Sequence, residues 1–430
     1  MKILIKNGRV MDPASSYDRA ADVAIEAGKI LALGAIPAGF EADRILDASG
    51  LVVAPGLVDL ATRLGEPGHE HEGMLDCELA AAVAGGITSL VCLPDTDPVL
   101  DEPGLVEMLR SRAERRSAAR VFPLGALTRG LKGEALTEMV ELTESGCIGF
   151  SQAEIAVHDT RVLQRAMQYA ATFGLAVWLR PRDPWLGKGV AASGPLATRL
   201  GLSGVSVAAE TVALHTLFEL VRSTGARLHV LRISSAAGVR LVQAAKAEGL
   251  PITCDVSIHN LLLTDNDIGY FDSRMRLDPP PRQQRDRQAL SQALKEGVID
   301  ALVSDHTPVS DDDKALPFAQ AQPGASGLEL LLGLACKWGQ QEGLELPQVL
   351  SRLTCDPARV MGSALGPLRE SCGRLRVGGV ADLCLFDPAA QWAVEPQALR
   401  SRGRHSPFAG HALPARVRWT VVGGRIAFEG

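Results

Sequence analysis

Residues 56–62 read GLVDLAT and residues 87–94 read ITSLVCLP. The same kind of short apolar run returns six more times: RVFPLGALT (120–128), CIGFSQ (147–152), LAVWLRP (175–181), RLHVLRIS (227–234), ITCDVS (252–257) and IDALVSD (299–305). Each has the length of a buried strand. Between them lie amphipathic stretches of helical length, among them EPGLVEMLRSRAERR (102–116), DTRVLQRAMQYAATFG (159–174), TVALHTLFELVRSTG (211–225) and SAAGVRLVQAAKAEG (235–249). Strand then helix, eight times over, predicts an α/β protein built on a parallel (β/α)8 barrel of the TIM type. A doubly wound open sheet is the alternative, but eight units without a G-x-G-x-x-G turn favour closure.

Outward from this middle, the two ends share a different style. Residues 1–55 give the alternating strands KILIKNGRV, ADVAIEAGKILALG and LVVAP, and residues 374–430 give VADLCLFDP and VRWTVVGGRIAFEG. Two β segments at opposite ends predict one small composite β-sandwich domain (1–55 with 374–430), with the barrel (56–373) inserted between them.

An apolar content of 46% supplies a large core, and a net charge of −6 without a basic run argues against a nucleic-acid or membrane-surface partner. MKILIKNGRVMDP alternates like a strand and lacks the features of a signal peptide, and no apolar stretch has spanning length. The eight cysteines (77, 92, 147, 254, 336, 355, 372 and 384) form no C-x-x-C pair and read as free thiols of a reducing compartment. The expected location is the cytoplasm.

Barrel enzymes carry their chemistry at the C-terminal ends of the strands. Those ends hold Asp59, Ala61 and Arg63, then Asp95, Ser151-Gln152, Arg180, Arg232 and Asp305-His306. A metal hydrolase needs imidazoles and carboxylates converging on an open coordination site. Three of these groups are guanidiniums, which have no lone pair to give. We expect Arg63, Arg180 and Arg232 to pair with Asp59, Asp305 and Asp183 in a network that fills the barrel mouth.

The run PGLVDLATRLGEPG (55–68) resembles the first-strand signature of dihydroorotases and related cyclic amidohydrolases, P-G-x-x-D-x-H-x-H-x-R-E-P-G. The similarity continues through LPDTDP, TCDVSIHNLLLTD, DPPPR, IDALVSDHTP, PGASGLE, LTCDPARVMG, GGVADLCLFDP and SRGRHSPFAG, in order along the chain. The resemblance implies the same barrel with a composite β domain, and it implies a site. Its two first-strand metal histidines fall on Ala61 and Arg63, and those of strands five and six on Arg180 and Arg232. The bridging ligand after strand four falls near Ser151, Gln152 and Ala153. Substrate-contacting positions fall on Gly65, Asp95, Asp278 and Val309. Asp305, the family's general base and ligand, is kept, as is the supporting Asp59. No zinc or other cofactor is therefore expected.

Some bacterial dihydroorotase-like chains that have lost these histidines pair with the catalytic chain of aspartate transcarbamoylase. The resemblance thus implies an oligomeric, non-catalytic partner in de novo pyrimidine biosynthesis. The alternatives are an active cyclic-amide hydrolase using Asp305 and His306, and a module that senses an acidic metabolite in the vacated pocket. Other polar groups carry plainer expectations. His229 is expected on the helix-facing side of its strand, packed or hydrogen-bonded, and His259 in a structural hydrogen bond. The His69/His71 pair of GHEHEG and the Asp311-Asp312-Asp313 run are expected to be solvated loop.

Overall fold

The computed structural model describes residues 1–116 and 118–430. All eight apolar runs form strands, at Leu57–Thr62, Ile87–Cys92, Arg120–Pro123 (continued by Gly125–Ala126), Phe150–Ser151, Ala176–Leu179, Arg227–Val230, Ile252–Ser257 and Ala301–Val303. They pair in parallel in chain order. A parallel bridge from Thr62 to His306 joins the first strand to the end of the last and closes the barrel.

Closure follows from side-chain alternation. Val58 and Leu60 point into an inner cluster with Val91, Trp178, Leu231, Ala301 and Val303. Leu57, Leu90 and Cys92 instead join the outer layer formed with the helices. Both faces are apolar, as parallel strands buried on two sides require. The helix Cys355–Met361 sends Ala358 and Met361 into the inner cluster and plugs the barrel floor.

The chain ends meet in one eight-stranded sheet. Leu383–Ala393 lies antiparallel to Val52–Pro55, with Leu383 opposite Pro55 and Phe386 opposite Val52. The N-terminal strand Ile3–Asp12 pairs with Tyr17–Glu26 and with Arg44–Asp47. Ile3, Ile5, Val23, Ile25, Val53, Leu383, Leu385 and Val421 form a separate core for this sheet. Among the described residues no helix is long and apolar enough to cross a membrane. All eight cysteines are free, seven of them buried.

The long loop after strand eight is fixed by an unusual contact. Buried Lys314 donates to the carbonyls of Arg276 (3.0 Å), Gln322 (3.0 Å) and Gly324 (2.7 Å), tying this loop to the one after strand seven. Lys314→Met would leave the Gln322 and Gly324 carbonyls without this donor, while the Arg276 carbonyl keeps the Gly324 amide (3.0 Å). A loss of about 1–3 kcal/mol is expected, since buried unsatisfied groups cost that much. Limited proteolysis checks it: cleavage should quicken within 307–327 before the barrel unfolds.

Candidate functional site

The ends of strands one, five and six bring Arg63, Arg180 and Arg232 to one point at the barrel mouth, and the group they surround is Glu154. Arg63 donates from Nε to Asp95 (2.8 Å), from Nη1 to Thr307 (2.9 Å) and from Nη2 to Glu154 (2.8 Å). Arg180 donates to Glu154 from Nη1 and to Asp278 from Nη2 (2.7 Å). Arg232 donates to Asp305 from Nη1 (2.8 Å) and to Glu154 from Nη2. Arg182 closes the far side on Asp278 (2.8 Å). Four guanidiniums and four carboxylates are thus linked by seven ion pairs, and their formal charges cancel.

The expected arginine network exists, but its partners differ from the expectation. Among the described residues no arginine pairs with Asp59: it accepts from Ser304 N (3.1 Å), Ser304 Oγ and Ala61 N (3.4 Å), stitching strand one to strand eight. Complete burial pushes its carboxyl up to about 6. Asp183 accepts from the amides of Trp185 (2.9 Å) and Leu186 (2.8 Å) in its own turn. The hub was missed by one residue. Ala153 adopts φ 49°, an uncommon conformation for a side-chain-bearing residue, and the chain beyond it carries Glu154 to the arginines. Burial would raise the Glu154 carboxyl, but Arg232, Arg180 and Arg63 outweigh it and hold it well below the ordinary range. Gln152 is spent on Thr128 and the Leu131 carbonyl.

The remaining positions are equally closed. Ala61 is packed in the inner cluster. Gly65 sits at φ 71°, and a Cβ there would lie 2.2 Å from the Gly73 carbonyl oxygen, so this turn admits no arginine. Val309 is buried beneath the backbones of Gly324 and Gly403. His306 is fully buried: its Nδ1 accepts from Gly327 N (3.2 Å), and its Nε2 lies 2.9 Å from Glu78, whose other oxygen accepts from Arg402 N (3.0 Å).

Two histidines depart from expectation. His229 does not face the helices; its ring lies 4.3 Å from Trp178 of the inner cluster and bonds Thr253 (2.8 Å) and Asp255 (2.9 Å). The period-two argument fails because Arg232 has φ 52°, so regular alternation stops before it. The His259 ring makes no hydrogen bond: among the described residues both ring nitrogens are buried without a partner, and the ring stacks near Phe408 at 5.7 Å. Burial pushes its pKa down to about 3, so the imidazole is neutral. It walls a cavity of about 250 Å3 at the mouth, with Arg63, Glu72, Glu154 and Asp305.

The family model described as dihydro-orotase-like matches residues 50–237. A dihydroorotase-like protein of Pseudomonas aeruginosa is 47% identical, with the whole of both chains covered. The chain belongs to the dihydroorotase-like family. A protein of Geobacter sp. (strain M21) named dihydroorotase is 37% identical over the whole of both chains. Among solved structures, the L-hydantoinase (dihydropyrimidinase) from Arthrobacter aurescens superposes with a TM-score of 0.88 at 25% identity, covering 99% of this chain and 96% of that one. The dihydropyrimidinase from Brevibacillus agri does so with 0.83 at 22%, covering 100% of this chain and 95% of that one. This likeness establishes the barrel with its β-sandwich domain.

The metal centre implied for a dihydroorotase-like site does not fit these residues. Ala61, Arg63, Arg180 and Arg232 offer no lone pair. Both Glu154 oxygens and one Asp305 oxygen are engaged by guanidinium groups. A dication placed there would also face three fixed positive charges, and one unit-charge pair at about 4 Å is worth about 4 kcal/mol at an effective dielectric near 20.

Proposed function

We propose that this dihydroorotase-like chain has given up hydrolysis and serves as a structural and assembly partner of the aspartate transcarbamoylase catalytic chain in de novo pyrimidine biosynthesis, within a cytoplasmic oligomer. The observation that carries the first half is the occupation of Glu154 by three arginines. A hydrolase of this kind needs a metal-bound water of lowered pKa and a Lewis acid on the amide carbonyl. Here the corresponding space is filled by paired side chains.

The second half rests on the resemblance. The scaffold motifs persist in order while the histidines at the ligand positions are replaced, the pattern of chains that assemble with a transcarbamoylase. A complete barrel kept without its chemistry has a use if its surface is the working part.

Relatives named dihydroorotase favour a second reading, an active hydrolase built on Asp305 and His306. Its difficulty is geometric. Asp305 is paired with Arg232, and His306 is bonded to Glu78 and the Gly327 amide.

Co-expression with a candidate transcarbamoylase, followed by mass measurement and both assays, separates the two. The expected outcome is a stable complex with altered transcarbamoylase activity and no turnover of dihydroorotate or hydantoin, with or without added zinc. Turnover that Asp305→Asn abolishes would overturn the loss of chemistry. A transcarbamoylase that ignores this chain would overturn the partnership.

A further inference from the structure

The loop after strand one and the loop after strand eight meet at the rim of the barrel mouth, and they bring together three side chains of mixed donor type. One ligand atom each from His71, Glu72 and Asp313 lies within 4.8 Å of the others. The His71 Nε2 to Glu72 Oε1 distance is 3.7 Å. Two ligands each about 2 Å from a tetrahedral zinc lie about 3.3 Å apart, so small side-chain adjustments suffice to close the set.

The loops are held in place by other bonds. Glu72 N and Gly73 N donate to the His69 carbonyl (3.0 and 3.1 Å), and Arg402 Nε donates to the His71 carbonyl (3.2 Å). Gln322 bridges the two carboxylate residues: its amide N donates to the Asp313 carbonyl (3.2 Å) and its Nε2 to Glu72 Oε1 (2.7 Å). Ser310 Oγ donates to Asp313 Oδ2 (2.7 Å). Ligand carboxylates in metal sites are oriented by such outer bonds.

Charge points the same way. Among the described residues neither Glu72 nor Asp313 forms an ion pair with a lysine or arginine, although the neighbouring network balances every carboxylate with a guanidinium. Two carboxylates held close without a cation repel, and a dication would relieve them. Glu72 also walls the mouth cavity in which His259 has both ring nitrogens buried and unpartnered.

We propose that His71, Glu72 and Asp313 form a rim site for a late first-row divalent cation such as zinc, clasping the loop after strand one to the loop after strand eight. One imidazole and two carboxylates suit such ions. The site is separate from the arginine-filled position of the family's own metal centre, and the inference does not rest on the proposed function.

Zinc titration of the full chain against a chelating dye, with cobalt absorption as a probe of coordination, tests it. One equivalent should bind to the wild type. His71→Ala and Asp313→Asn should each weaken it at least 10-fold without lowering the melting temperature of the metal-free chain, whereas Asp305→Asn should leave it unchanged. No saturable binding, or binding indifferent to all three variants, overturns this inference alone. Binding lost in Asp305→Asn but kept in His71→Ala would put the ion in the barrel mouth, overturning both this site and the reading of the arginines.

Discussion

Glu154→Gln should destabilise the protein by about 3 kcal/mol, and Glu154→Ala by more. As a whole the network of four arginines and four carboxylates need not stabilise the fold much, because the gain of buried pairs is offset by desolvation. Removing one member is different. Breaking a buried pair costs about 3–5 kcal/mol because the partner's charge stays behind, and Glu154 has three such partners. Its side chain is 27% exposed, so some solvent screening remains and the lower end of that range applies.

The pH dependence has a definite sign. A carboxylate whose folded pKa is depressed contributes stability that is present above its unfolded pKa and is lost as pH falls through the folded one. For Glu154, held well below the ordinary range, the wild type should keep this contribution at mildly acidic pH and lose it only in strong acid. The difference between wild type and Glu154→Gln should therefore stay flat from neutrality down to about pH 5 and shrink below it. Urea melts at several pH values measure this. A Glu154→Gln protein within about 0.5 kcal/mol of wild type, the ordinary range for a surface change, would refute the hub.

The fold was legible because it depends on periodicities that survive at the level of single residues. Leu57 faces outward while Val58 and Leu60 face inward, and the same alternation repeats around the barrel. The arginines were legible as well, since a strand end that faces the barrel mouth fixes where Arg63 and Arg180 must point. Their partners were not. Which carboxylate meets a guanidinium depends on the path of a loop, and loop paths here turn on single backbone angles: φ 49° at Ala153 ahead of Glu154, φ 52° at Arg232 and φ 54° at Asp305. Spacing carries no signal for such angles in residues other than glycine. Counting charge does not reveal Glu154 either, because Asp59, Asp305 and Asp183 already balance the three arginines on paper.

Arg232→His restores an imidazole at a position where the resemblance places a metal ligand, and it should cost stability without creating activity. Arg232 is the most buried of the converging arginines, with 1% of its side chain exposed, and it forks between Asp305 and Glu154. A histidine is too short to span both and is neutral at pH 7 unless a partner raises its pKa. A loss of about 3–5 kcal/mol is expected, with no dihydroorotate turnover, since Arg63 and Arg180 still fill the neighbouring positions. Arg232→Lys should recover part of the loss, because it keeps the charge and gives up the planar fork. The decisive measurement is a double-mutant cycle with Asp305→Asn. Residues in one ion-pair network show coupling of about 0.5–3 kcal/mol, and burial argues for the upper half of that range. Arg232→His with Asp305→Asn should therefore be less destabilised than the sum of the two single changes. Strict additivity would mean that the two side chains share a space without sharing an interaction, and the guanidinium would then have no claim to have replaced a metal.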